Sequence, residues 1–191
     1  MNWDNRQEIL EKVKKNGKLL KFASDKIKND REVVLEACKN NGYALEWASK
    51  RLKNDKEIVL EAIKNDIYSI QFASDNFKND KEIMLILLKE DGFLIRLASD
   101  ELKDDKEIAL TAVKQSDMAI YYVSNRLKDD RDVIMESVKN NGFTLKYASD
   151  RLKDDVEVVS EACKTEKYAF NFIGDKLKEQ FPTVEVLLNR K

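Results

Sequence analysis

A chain of 191 residues is long enough for one ordinary domain or one compact repeat array with a sizeable core. Its 42% hydrophobic content excludes a disordered chain, and 37% charged residues point to a heavily ion-paired helical surface. Lys plus Arg number 35 against 36 Asp plus Glu, so no global field draws this protein to nucleic acid or to an anionic membrane.

Written with a period of 25, the sequence aligns Asp30, Asp55, Asp80, Asp105, Asp130 and Asp155 without a gap, with Asn5 before them and Gln180 after. Nine residues further on stands Lys14, Lys39, Lys64, Lys89, Lys114, Lys139 or Lys164, and a second column reads Lys28, Lys53, Lys78, Lys103, Lys128, Lys153 and Lys178. Fixed-period self-similarity of this kind is the signature of a stacked array. The expected fold is an all-α solenoid, right-handed or weakly curved. It has seven 25-residue helical-hairpin units starting at 5, 30, 55, 80, 105, 130 and 155, and a capping helix in the closing half-unit 180–191.

Within a copy, the first helix opens on a capping-box spacing, Asn29 with Glu32, Asn54 with Glu57, or Asp4 with Gln7 in the first copy. About ten residues follow, with apolar positions such as Val33, Val34, Ala37 and Cys38 on one helical stripe. The helix is expected to stop at Gly17, Gly42, Gly92 or Gly142, where a left-handed cap costs glycine little. A second helix carries Tyr43, Leu45, Trp47, Ala48 and Leu52 in one copy and Phe143, Leu145, Tyr147, Ala148 and Leu152 in another. The recurring serine, Ser24 to Ser149, either caps a short final turn or bonds back within one longer helix. Cys38 and Cys163 share a column with Ile, Val and Leu and read as buried apolar residues, not a disulfide. At the back, Phe181-Pro182 replaces the usual cap, and Val184, Leu187 and Leu188 suit a closing helix ending in Arg190 and Lys191.

The blocks E-A-x-K-x-x-G and A-S-D-x-L-K-x-D, at fixed spacing and fullest in residues 30–54 and 130–154, resemble the tandem repeat family catalogued as domain of unknown function 4116. The resemblance covers essentially residues 5 to 179. It implies a helical repeat and brings no activity, cofactor or site residues with it. The copy at Asp105 departs most: Ser116-Asp117 replaces Asn-Gly, and Tyr121-Tyr122-Val123 replaces the usual polar-aromatic-Ala, which predicts altered local geometry or a specialised surface.

Histidine is absent, which removes the commonest general base and metal ligand, so no enzyme is expected. No phosphate-binding glycine motif and no cysteine cluster occurs; no cofactor and no metal is expected. Carboxylate groups such as Asp104-Asp105-Glu107 fit helix capping better than cation binding. The aromatic column Phe22, Trp47, Phe72, Tyr122, Tyr147 and Phe172 keeps helical register with apolar neighbours and reads as core. What remains is a binding scaffold whose partner is another protein. The alternative is nucleic acid tracked by the Lys stripes, although acidic columns of equal regularity accompany them. No stretch approaches a membrane span, since the longest apolar run is Ile83 to Leu88, and the opening residues lack a signal-peptide core. The expected location is therefore the cytoplasm.

Stacking demands constancy, so a binding site is expected where copies differ. One variable column reads Lys21, Glu46, Gln71, Arg96, Tyr121, Lys146 and Asn171. Another reads Glu11, Glu36, Glu61, Ile86, Thr111, Glu136 and Glu161. Ile86, Thr111 and Tyr121, with Arg96, form the candidate partner-binding residues, an apolar patch of the kind that marks interfaces.

Overall fold

A computed structural model describes residues 3–190, and every regular element among them is helical. The chain divides into two compact units, one ending at Asp80 and the other beginning at Lys81, within a residue of the boundary between the third and fourth copies. Each unit stacks its copies with successive long helices side by side.

A copy is built from three helical pieces, one more than the hairpin expected from the sequence. A ten-residue α-helix comes first, as in Arg31–Asn40, Lys56–Asn65 or Arg131–Asn140. A six-residue 3-10 segment follows, as in Gly42–Trp47 or Gly142–Tyr147, and then a short helix such as Asp75–Lys78 or Asp150–Lys153. Gly42, Leu45 and Ala48, like Gly142, Leu145 and Ala148, are buried three residues apart, which suits a 3-10 helix, and Ala44 and Thr144 are buried beside them. This piece was expected to be α-helical; the period of three is what the sequence reading passed over. The serine resolves in favour of a short separate turn: Ser99, Ser124 and Ser149 accept from the amides of Leu102, Leu127 and Leu152 at 3.2–3.3 Å.

Two further expectations shift. The long helix is capped one residue later than the box spacing suggested, by Asp30, Asp55, Asp105, Asp130 and Asp155, whose carboxylates accept from the amides of the first turn; Asn5 does so in the first copy. The preceding residue serves the next copy instead. Asn29 Oδ1 accepts from Ser49 Oγ at 2.7 Å and from Arg51 Nε at 3.1 Å, and Asp104 and Asp129 accept in the same way from Ser124 with Arg126 and from Ser149 with Arg151. The glycines are not left-handed caps, because no described residue has positive φ. A Cβ on Gly42 would lie 2.4 Å from the Ala62 carbonyl oxygen and one on Gly142 2.1 Å from that of Ala162, so glycine is there to let one copy's backbone touch the next. The same junction is pinned by asparagine: Asn65 donates to the Lys39 carbonyl at 3.0 Å and accepts from the Gly42 amide at 2.7 Å.

An ion-pair ladder runs along the helix starts. Arg31 Nε reaches Asp55 Oδ2 at 2.8 Å and its fork also engages Glu57; Lys81, Lys106 and Arg131 repeat the arrangement in the second unit. The Arg31 bond holds the Asp55 carboxyl below its ordinary range. At this exposure each pair is individually weak, and its value is registry between copies. Val156 takes the base's place in the seventh copy, where the following segment has Gln180 in place of Asp.

The closing segment is helical over Val184–Leu188 and packs on the seventh long helix with Leu187 fully buried. It begins later than expected. Gln180 ends the preceding short helix, and Thr183, after Pro182, supplies the cap. Arg190 then donates to the Val156 carbonyl at 3.0 Å and to Ser160 Oγ at 2.6 Å.

Cys38 and Cys163 are free and buried, and burial pushes their thiols up, to about 12 and about 11. A thiol reagent added to the folded protein at neutral pH should therefore label both slowly, and rapidly once denaturant is added. Prompt labelling without denaturant would mean that this helix face is open.

Candidate functional site

The 3-10 segments turn a face to solvent on which two side chains per copy are large. One column holds Tyr43, Tyr68, Phe93, Met118, Phe143 and Tyr168; the other is the aromatic column Phe22, Trp47, Phe72, Tyr122, Tyr147 and Phe172. The second column was expected in the core and is not there. Phe22 is exposed and the rest are half-buried, because the three-residue period sends Leu45 and Leu145 inward and leaves the rings beside them at the surface. Rings of successive copies meet edge to face: Tyr43 with Phe72 at 5.5 Å, Phe93 with Tyr122 at 5.6 Å, Phe143 with Phe172 at 6.3 Å.

In the fifth copy this face changes. Here the segment is a turn followed by an α-helical turn, Ala119–Tyr122, and Asp117 accepts from Asn141 at 2.6 Å. The altered geometry expected of this copy is present. It brings Tyr121, 56% exposed, against Tyr122 at 5.0 Å and Tyr147 at 5.9 Å. The result is one continuous run of contacts. Arg96 lies over the Phe93 ring at 5.3 Å, Phe93 meets Tyr122, Tyr122 meets Tyr121, Tyr121 meets Tyr147, and Lys146 lies over Tyr147 at 4.8 Å. Met118, 49% exposed, and Phe143, 40% exposed, stand beside it, and a small pocket bounded by Asp117, Met118, Phe143, Thr144 and Tyr147 opens there.

The four residues singled out by column variation fall into two groups. Arg96 and Tyr121 belong to the aromatic run. Ile86, 57% exposed, and Thr111 lie on the long helices, on the side away from the buried stripe of Ile83, Met84, Leu87 and Leu88, and no hydrogen bond, ion pair or ring contact joins them to Arg96 or Tyr121. Sequence reasoning missed Phe93, Met118, Phe143 and Lys146 as members of the surface; a period of three in the buried column is the signal that finds them. The carboxylate groups are engaged structurally: Asp104 takes Ser124 and Arg126, while Asp105 caps its helix and, with Glu107, holds Lys81. Among the described residues, four members of each lysine column pair with an acid three residues before them, as in Lys39 with Glu36 at 2.8 Å and Lys78 with Asp75 at 3.0 Å. No helix among the described residues is long and apolar enough to cross a membrane.

Compared with known families, the chain matches the one described as Domain of unknown function (DUF4116) over residues 5–53, 30–78, 55–103, 80–128 and 130–178. The chain belongs to this family. Each match spans two copies, and successive windows are offset by whole multiples of the repeat, so the family's unit and the period of 25 coincide. No curated protein and no solved structure matches the chain.

Proposed function

We propose that this chain is a non-enzymatic binding scaffold whose partner is another protein and whose contact surface is the run from Arg96 to Lys146. The observation that carries the reading is the unbroken series of ring and cation contacts across three copies, with Tyr121 half in solvent at its centre. Tyr and Arg are the residue types most often found as interface anchors, because each brings a large contact area and a polar handle. The rings are held by their neighbours before any partner arrives, so binding orders little that is not already ordered. Met118 and Phe143 add apolar area of the sort a purely solvated helix surface avoids.

A flat aromatic surface flanked by Arg96 and Lys146 also has the make-up of a base-stacking platform, which keeps single-stranded nucleic acid as the second reading. The pairing of the lysine columns with acids three residues away works against it, since phosphate tracking needs free cations.

Tyr121→Lys restores the residue type of the first and sixth copies, so it should leave the melting temperature within a few degrees while abolishing capture of the partner from lysate of the source cell. Capture should survive nuclease treatment and a rise to physiological salt. Bound material that disappears with nuclease would establish the nucleic-acid reading, and capture indifferent to Tyr121→Lys would remove this surface from the function.

A further inference from the structure

The long helices carry a second departure from the repeat, separate from the aromatic run. In four other copies a lysine pairs with a glutamate three residues before it: Lys14 with Glu11 at 3.1 Å, Lys39 with Glu36 at 2.8 Å, Lys64 with Glu61 at 3.8 Å and Lys164 with Glu161 at 3.0 Å. The following copy adds another carboxylate. Lys39 is held above its ordinary ammonium range by Glu36 first and, at longer reach, by Glu61 of the next helix. A lysine of this column thus has two positions from which an acid neutralises it.

For Lys89 those two positions are 86 and 111, and they hold Ile86 and Thr111. The two exceptions in the acidic column therefore strip both carboxylates from one lysine and one carboxylate from the next, Lys114. Among the described residues no acid lies within ion-pair distance of Lys89 or Lys114. Beside these cations Ile86 is more than half exposed, and Leu85 and Leu110 are half-buried on the same two helices.

We infer that this face of the fourth and fifth copies is a docking site for an acidic peptide segment of another protein. An apolar side chain of the segment covers Ile86, and its Asp or Glu takes the place of the missing glutamates beside Lys89 and Lys114. Charge complementarity sets the occupant's chemistry. Lys89 and Lys114 lack the glutamates usual at positions 86 and 111 beside the exposed Ile86. Although the exposed Glu82 and Glu90 stand one turn to either side of that isoleucine, a partner that brings acids and an apolar anchor answers both the cations and the isoleucine. Nucleic acid fits less well, because an isoleucine offers nothing to a phosphate and Glu136 and Glu161 interrupt the cationic row on the same column.

The test uses the full chain and a displayed library of random 16-residue peptides, with a 20-nucleotide oligothymidine as a second probe. Selected peptides are expected to be rich in Asp and Glu around Leu, Ile or Phe. Their affinity should fall roughly tenfold or more with Ile86→Glu or Lys89→Glu and be retained with Ile86→Leu. Ile86→Glu restores the residue found in five other copies, and an unchanged melting curve for it ties the loss to the site. A Lys89→Glu, Lys114→Glu double variant should instead bind versions of the same peptides with Lys in place of the acids. The inference is overturned if no peptide is enriched, if enriched peptides lack acids or ignore these substitutions, or if oligothymidine alone binds in a Lys89-dependent way.

Discussion

Leu145→Ala should cost about 2–5 kcal/mol in chemical unfolding, while Leu60→Ala should cost no more than about 1 kcal/mol. Both leucines recur from copy to copy, and the sequence gives no reason to separate them. Leu145 is fully buried between its 3-10 segment and the long helices. Truncating it removes the transfer term and leaves a cavity that neighbouring backbones, fixed by the asparagine and serine bonds, cannot collapse into. Leu60 stands on the outer side of its helix, 39% exposed, so its loss forfeits part of the transfer term and opens no void. In a stacked array the damage stays near the altered copy, so an early, partial transition for Leu145→Ala is an expected form of the same result. Equal losses at the two positions would mean that the stripe has been assigned to the wrong side of the long helix.

Gly142→Ala should also destabilise, by roughly 1–3 kcal/mol, and Gly142→Asn by more. The order decides between two roles for the residue. At a left-handed helix end asparagine is the better tolerated replacement, because its side chain suits that conformation. Here the backbone has no positive φ, and the limit is the 2.1 Å between a new Cβ and the Ala162 carbonyl, which lies on backbone and cannot swing away. A larger side chain then makes matters worse. Differential scanning calorimetry of the two variants settles the order, and an asparagine variant more stable than the alanine one would restore the capping role. The glycine column thus belongs to the joint between copies, as do the asparagines that bond across it.

One comparison among copies separates the residues that stack from those at the surface. Where a column stays apolar, as at Leu45 and Leu145, the structure buries it between copies, and Gly42 and Gly142 serve the same joint in the copies that carry glycine. The two columns that vary most in charge lie toward solvent, and their exceptions gather in the fourth and fifth copies: Arg96 and Tyr121 on the 3-10 side, Ile86 and Thr111 on the long helices. Variation alone did not distinguish the two sides, because both lie at the surface and sequence distance carries no direction around a helix.

The sequence by itself determined the repeat, its length, the all-helical content, the ten-residue helices and their inward stripe, and the burial of Cys38 and Cys163, since each of these is a periodic property that one copy states and the next repeats. Only the tertiary structure decided what the polar columns and glycines do. Whether Asp30 or Asn29 caps a helix is a matter of one residue, and both have the required oxygen; the choice falls to Asp30 because Asn29 is taken by Ser49 and Arg51 of the next copy. Whether Gly142 turns the chain or admits a neighbour depends on a carbonyl twenty residues away in sequence. Whether Trp47 and Tyr147 are core or surface depends on a second piece winding three residues to a turn, which moves each ring from the inward side to the outer one. Local periodicity is written in one copy; contacts between copies are written in none of them singly, and those contacts place the surface on which binding is proposed.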